Sequence, residues 1–261
     1  MRAWTRRDLT IVPDLEGGFL AIACDSCGGV GLKPGDVYPL SPYHAAKFTA
    51  RVALMEVMCL GGLPIAIANG VACEMKPTGE ETIRGIQDEL KSAGIVDVVL
   101  TGSTEENFTT SMTALAITVV GAVQNGAMKC DRALAGDKFL LFGKPCVGSE
   151  VDLTSAGFYP QIRFLLSLPE VREIVPVGSK GVAYEAGMLA ALNDMAFTPL
   201  QTGADIMKSA GPATCLITLC GDGCVSRIHA VYPSAEIIGV LSDPGGKHAE
   251  NSALGFSKPP R

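Results

Sequence analysis

The chain has no long apolar run, few charges and no excess of basic ones. Its most apolar stretch, Ala50 to Ala68, is broken by Arg51, Glu56, the Gly61-Gly62 pair and Pro64. A membrane span needs about 20 mostly apolar residues without such interruptions, so none is expected. The opening MRAWTRRDLT has arginines but no apolar core behind them, and it does not read as a secretory signal. The formal net charge of −6 leaves no basic footprint, and a nucleic-acid partner is not expected. Familiar signatures are missing too. There is no G-x-x-x-x-G-K-[ST], no G-x-G-x-x-G after a strand and no G-x-S-x-G elbow, and three histidines leave little for a hydrolase triad.

What is present is a turn-rich globular composition. Hydrophobic residues make up 48% and charged residues 18% of 261, with 30 glycines and 16 prolines, which argues against extensive disorder. That length supports one large domain or two small ones. Nine cysteines, an odd number without an export signal, point to reduced thiols in the cytoplasm. Cys24-x2-Cys27 and Cys220-x3-Cys224 raise the question of zinc. The two pairs lie far apart, however, Cys24 sits in an apolar run, and His229 and His248 have no matching motif. These thiols read better as small buried hydrophobes.

Strand and helix signals alternate along the chain. Phe19 to Cys24 reads as a buried strand ending at Asp25, followed by the turn-rich SCGGVGLKPGD. Ser41 as N-cap and Pro42 at the first position open a helix that Gly61-Gly62 closes. Ile65 to Met75 is expected as a strand, and Thr78 with Glu81 as a capping box for a helix ending at Gly94. Val96 to Leu100 and Ser111 to Val123 follow as strands. The polar stretch Gln124 to Asp137 marks a domain boundary. Beyond it, Lys138 to Phe142, Thr214 to Leu219 and Glu236 to Leu241 are expected as strands, with helices over Leu153 to Leu168 and Gly181 to Ala196. The class is α/β or α+β, divided as 1–130, 131–245 and a polar tail, 246–261.

Three acidic stations stand out. Asp25 enters a glycine-rich loop, where a carboxylate either holds a metal or ligand or simply forms a turn. Gly28, Gly29 and Gly31 let backbone N–H groups approach an anion, with Lys33 adding charge; otherwise they make a flexible turn. Glu56 lies mid-helix among small and apolar residues, where desolvation is costly unless a cation or donor meets it; the alternatives are pairing with Arg51 or a solvated face. The third station, TGSTEEN, follows a strand and offers hydroxyls and two adjacent carboxylates. Together they supply carboxylates enough for metal ions.

These stations resemble the ATP-dependent superfamily of aminoimidazole ribonucleotide (AIR) synthetase and thiamine-monophosphate kinase. Asp25 with CGGVG is similar to its strand-ending aspartate and glycine-rich loop. Glu56 through Pro64 keeps the spacing of D-x-x-x-M-G-x-x-P, with glutamate for the usual aspartate. Thr101-Gly102-Ser103-Thr104 with Glu106 resembles G-G-[ED]-T, with Ser103 in place of the acid. GDKFLLFG from Gly136 and the alanine-rich segment from Gly181 resemble parts of the second domain. The blocks ACDSCGGVGLKPGD, FTARVALMEV and TGSTEEN look most like α-ribazole kinase.

The resemblance implies a two-domain fold whose N-terminal sheets pair in a homodimer, with ATP and Mg²⁺ as cofactors. It implies metal ligation by Asp25, Glu56, Glu105 and Glu106, with Asp25, Glu56 and Glu106 catalytic. Nucleotide contacts would come from Gly28, Gly29, Gly31, Lys33, Gly102, Ser103, Thr104 and Asn107. The implied reaction phosphorylates the 5′-hydroxyl of α-ribazole, in cobamide lower-ligand activation. Alternatives are a thiamine-monophosphate kinase or synthetase of the same superfamily, or a nucleotide-binding partner protein without turnover.

Overall fold

The structure is a computed structural model that describes residues 2–14 and 16–244. The polar tail, 246–261, with His248, lies outside the described residues. The chain forms two compact units: Met1–Ala127 with Leu153–Tyr159, and Met128–Asp152 with Pro160–Arg261.

The first unit contains β1 (Trp4–Arg6), β2 (Leu9–Pro13), β3 (Phe19–Gly28), β4 (Val30–Gly31), β5 (Tyr38–Pro39), α1 (Pro42–Cys59), β6 (Leu63–Val71), α2 (Glu80–Ser92), β7 (Val99–Thr104) and β8 (Ala114–Val123). Six of these strands make a mixed sheet in the order β1-β2-β3-β8-β6-β7. All its pairs are antiparallel except β6–β7, whose connection is the α2 crossover. Side chains alternate across the sheet. Ala21, Ala23, Leu115, Ile117, Val119 and Ile67 are buried under the helices, while Leu20, Ile22, Val120 and Ala122 occupy the opposite face and keep some exposure.

Ser41 caps α1 as expected, its side chain accepting from His44 N–H, with Pro42 at the first position. Gly61, at φ 97°, turns the chain out, its N–H donating to Met58 O at 2.9 Å. α1 is buried nearly all round because the sheet lies on one side and α2 on the other. The two helices approach closely at Gly85, where a Cβ would stand 2.2 Å from Tyr43 O.

The structure corrects several expectations. β3 does not end at Asp25 but runs on to Gly28, because the ten-residue β8 supplies a partner for every position; Asp25 pairs with Ile117. The Thr78–Glu81 capping box is absent, since Thr78 Oγ1 donates instead to Glu74 Oε1 at 2.5 Å and α2 starts from Gly79 without a side-chain cap. The strand expected from Val96 begins at Val99.

The segment Leu153–Tyr159, expected as helix, is irregular up to the start of α3 (Tyr159–Leu166). It is strapped to the first unit by polar bonds. Arg51 on α1 and Glu89 on α2 pair through Nε–Oε1 at 2.8 Å and Nη2–Oε2 at 3.1 Å. The Tyr159 hydroxyl donates to Glu89 Oε1 at 2.6 Å, and Arg51 donates to Ser155 O at 2.7 Å and to Ser155 Oγ at 3.2 Å. Arg51 is therefore the partner of Glu89, not of Glu56.

The second unit adds β9 (Lys138–Gly143), β10 (Val171–Pro176), α4 (Val182–Leu192), β11 (Ala196–Pro199), β12 (Cys215–Cys220), α5 (Asp222–Val231) and β13 (Glu236–Ser242) to α3. Its sheet is wholly antiparallel, ordered β10-β12-β9-β13-β11. Phe139, Leu141, Ile217 and Leu219 pack on Val182, Ala186 and Leu189 of α4. On the opposite face Phe142 meets Tyr232, which also meets Phe164 of α3. Burial on both faces explains the unbroken apolar runs of β9 and β12. Among the described residues, no helix is long and apolar enough to cross a membrane.

Candidate functional site

The carboxyl half of β7 is Thr101-Gly102-Ser103-Thr104. Together with Asn69 of β6, Leu100, Met75 and Ile83 of α2 it lines a cavity of about 340 Å³. Open α/β sheets present ligand sites at the carboxyl ends of parallel strands, and β6–β7 is the one parallel pair in this sheet. Glycine is needed at 102 because Asn69 packs across it: a Cβ there would stand 2.1 Å from Asn69 Oδ1 and 2.4 Å from Asn69 O. The walls combine exposed hydroxyls with apolar Met75, Ile83 and Leu100, a mixture suited to a ligand with a polar and a flat apolar end.

The strand leads into Glu105-Glu106-Asn107. Glu105 N–H donates to Cys73 O at 2.9 Å, which ties this turn to the end of β6. Its Oε1 accepts from the N–H groups of Asn107 at 2.7 Å and Phe108 at 3.2 Å. Glu106 Oε1 accepts from Met75 N–H at 2.7 Å and Thr104 Oγ1 at 3.0 Å. Both carboxylates thus shape the turn through a single oxygen each. Phe108, beside them, is 76% exposed, whereas Phe48 is buried against the Arg51 guanidinium.

The glycine-rich loop is held by bonds to the start of β8 and to its own turn. Gly29 N–H donates to Thr113 O at 2.8 Å, and Gly29 O accepts from Val37 N–H at 2.8 Å. At Gly31 a Cβ would stand 2.0 Å from Thr113 Oγ1 and 2.3 Å from Asp36 Oδ2. Close packing therefore demands this glycine. Asp36 organises the loop by accepting from Lys33 N–H at 2.8 Å, Thr113 N–H at 2.7 Å and Thr113 Oγ1 at 2.8 Å. Lys33 Nζ is engaged with Glu74 Oε2 at 2.6 Å. Burial pushes the Glu74 carboxyl up, but the bonds from Lys33 and Thr78 outweigh it and hold it at about 2. Gly28 is exposed, with open space where a Cβ would stand.

Asp25 and Glu56 meet between β3 and α1. Burial pushes the Asp25 carboxyl up to about 6, with Asp8 adding repulsion against one bond from Ser26 N–H. Burial likewise raises Glu56 to about 7, opposed by Arg7 and reinforced by Asp8 and Asp25. Arg7 sits in the two-residue turn between β1 and β2 at φ 52° and forms an ion pair with Glu56. Both side chains are nearly sealed, at 7% and 9% exposure. The cation that a desolvated Glu56 requires is thus supplied from within the chain.

The expected site residues fall into three places. Gly102, Ser103 and Thr104 line the cavity, with Glu105, Glu106 and Asn107 in the turn that follows. Asp25 and Glu56 lie together beside β3, while Gly29 and Gly31 pack against Thr113 and Lys33 reaches Glu74, the neighbour of the cavity residue Met75. Among the described residues no three His, Cys, Asp or Glu groups converge as a metal cage. Arg7, Asp36, Asn69 and Glu74 were not anticipated. Only Asp36 carried a local signal, closing the turn motif KPGD. Cys24 is exposed rather than buried; three apart on an extended strand, it and Cys27 point to opposite faces, which removes them as a ligand pair.

Residues 9–123 match the family described as AIR synthase related protein, N-terminal domain. No curated protein sequence matches the chain. Among solved structures the chain is similar to the hydrogenase maturation protein HypE, at 18% identity and a TM-score of 0.67 over 89% of this chain and 83% of that one. HypE in complex with ATP matches at 18% identity and a TM-score of 0.64, over 87% and 77%. T. maritima PurL complexed with ADP matches at 15% identity and a TM-score of 0.68 over 93% of this chain; the match spans 43% of PurL. The fold is AIR synthase-like, with a mixed sheet in its first unit, as the resemblance implied.

Proposed function

We propose that this protein is an ATP-dependent enzyme that transfers a phosphoryl group to a small-molecule alcohol, the 5′-hydroxyl of α-ribazole. The observation that carries the reading is the cavity at the carboxyl end of β7, lined by Thr101, Gly102, Ser103 and Thr104 together with apolar Met75, Ile83 and Leu100. Its support is the family match over residues 9–123 and a fold similar to that of HypE in complex with ATP. In this reading the hydroxyls and exposed backbone of Thr101–Thr104 bind phosphate oxygens, and Phe108 is placed to stack on a flat base.

Mg²⁺ that enters with the nucleotide needs only one or two protein carboxylates, so the absence of a protein cage among the described residues is compatible with it. Glu105 and Glu106 supply them in this reading; Asp25, half-buried on β3 and three strands from β7, does not reach the same ion. When bound, the ion neutralises charge on the phosphoryl oxygens. The acceptor oxygen forms its bond to the γ-phosphorus as the bond to the β-phosphate oxygen breaks, ADP leaves and the hydroxyl proton passes to water. Glu56, sealed against Arg7, is assigned to holding the β1–β2 turn on α1. The reading includes a homodimer through the sheet face that carries Leu20, Ile22, Val120 and Ala122, opposite the helices.

Incubation with Mg²⁺-ATP and a panel of α-ribazole, thiamine phosphate and ordinary nucleosides tests this by mass spectrometry. ADP with α-ribazole 5′-phosphate is expected, and phosphate on another acceptor alone rejects the α-ribazole assignment. Calorimetric titration with ATP should show affinity lost in EDTA; equal affinity in EDTA rejects metal-dependent binding.

A further inference from the structure

Asn69 lines the cavity at the carboxyl end of β7, yet the reaction as described gives it no part. It sits on β6 in register with Gly102 of β7 and Ile117 of β8. Along β6 the alternation buries Ile67, Asn69 and Val71 and exposes Ala68 and Gly70. The side chain therefore points to the helix-covered face, where its buried neighbours are Ile67, Val71 and Ile117. An amide is the exception in that company.

Asn69 is only 6% exposed, and among the described residues its side-chain amide makes no hydrogen bond. Burying an amide without a partner is costly, and such a group in a folded protein calls for one. The fold nevertheless makes room for it. Gly102, directly opposite, has no side chain, and a Cβ there would stand 2.1 Å from Asn69 Oδ1. The space goes to the amide and not to a neighbour that could satisfy it. What remains for the amide to face is the cavity, about 340 Å³, with Leu100, Ile83 and Met75 as its apolar walls.

A primary amide carries an acceptor oxygen and a donor NH₂ side by side. Its complement is a ring edge on which a donor and an acceptor are adjacent. Adenine has this pattern, with the 6-amino group beside ring nitrogens that accept. A benzimidazole has ring nitrogens but no amino group next to them, so it presents no such edge. The apolar walls suit the faces of a flat base. The amide thus separates the two flat rings of the proposed reaction and matches that of the nucleotide.

We propose that Asn69 is a specificity-determining residue of the nucleotide site, its Oδ1 accepting from the adenine 6-amino group and its Nδ2 donating to the adjacent ring nitrogen. The inference rests on the ATP-dependent reading above. It assigns this cavity to the base of the donor nucleotide and leaves the acceptor's ring to other surfaces, of which the exposed Phe108 is one.

The test is calorimetric titration of the full-length chain with Mg²⁺-ATP and with the Mg²⁺ complex of purine riboside triphosphate. The second nucleotide has hydrogen in place of the 6-amino group and keeps the ring nitrogens. The wild type is expected to bind ATP about 3–10-fold more tightly, the equivalent of one neutral hydrogen bond. Asn69→Leu, close to asparagine in shape, should bind the two alike and more weakly than the wild type binds ATP. Asn69→Ala should do the same, so the result does not hang on one variant folding. Equal affinity of the wild type for both nucleotides would overturn the inference and leave ATP dependence standing. A preference for ATP that persists undiminished in either folded variant would do so too. Binding of neither nucleotide to the wild type would overturn the inference together with the reading it rests on.

Discussion

Replacing Glu89 by glutamine is expected to destabilise the first unit by about 3–5 kcal/mol, the usual cost of removing one partner from a buried ion pair. The two side chains are 4% and 0% exposed, so neither charge has water to fall back on. Glutamine keeps the volume but turns one acceptor oxygen into an NH₂ donor, which faces the Arg51 guanidinium at either position and, in place of Oε1, the Tyr159 hydroxyl as well. Arg51 keeps its bonds to Ser155 and loses its counter-charge. Against a typical domain stability of about 5–15 kcal/mol, the loss is a third or more. Trp4 is the only tryptophan in the chain, lies in β1 and packs edge-on against Phe19 at 5.7 Å. Its fluorescence therefore reports the first unit during urea unfolding. Tyr159→Phe, which removes one hydrogen bond to a charged group, should cost about 1.5–3 kcal/mol. Replacing Arg51 and Glu89 together by methionine and leucine should cost far less than Glu89→Gln alone, because no charge is then stranded. A Glu89→Gln protein within about 0.5 kcal/mol of wild type at unchanged m-value would refute the argument.

Stability should also depend on Asp25 and Glu56. Their folded-state values of about 6 and about 7 lie above the ordinary 3.8 and 4.5. Between those limits the folded chain binds more protons than the unfolded one, so stability is fully present below about pH 4 and declines as pH rises to about 7. Asp25→Asn should flatten the part of that decline below about pH 6; urea midpoints that rise with pH over this window would contradict the assignment. Gly102→Ala should cost about 1–3 kcal/mol through overpacking against Asn69 and reduce nucleotide affinity with it, as read by urea unfolding and calorimetry. Unchanged stability would show that Asn69 yields freely.

What could be read from sequence was mostly local. Ser41 and Pro42 mark a helix start because capping involves neighbours a few residues apart, and the structure has that cap. The alternation in β8 and the apolar runs of β9 and β12 were legible for the same reason. The three-residue β1, the short β11 and α5, whose first turn reads as a glycine-rich loop, offered no comparable periodic signal. Partners distant in sequence were invisible. Glu56 was recognisable as a carboxylate in need of a cation, but its Arg7 lies 49 residues away and outside any motif. Thr78 departs from the expected capping box because its hydroxyl donates back to Glu74 instead of accepting from the N–H three residues on. The glycines are plain in the sequence, but the close packing of Gly31 against Thr113 and Asp36, partners distant along the chain or across the turn, shows only in the fold.

The strap Leu153–Tyr159 means that the first unit is not one continuous piece of chain. During synthesis, residues 1–127 emerge with both ends of the Arg51–Glu89 bridge but without Tyr159 or Ser155. Closure waits until the ribosome has added a further stretch that includes β9, a strand of the other unit. Maturation of the N-terminal half is thereby coupled to translation of the C-terminal half, and a fragment cut at the apparent boundary would carry a half-covered ion pair at its surface.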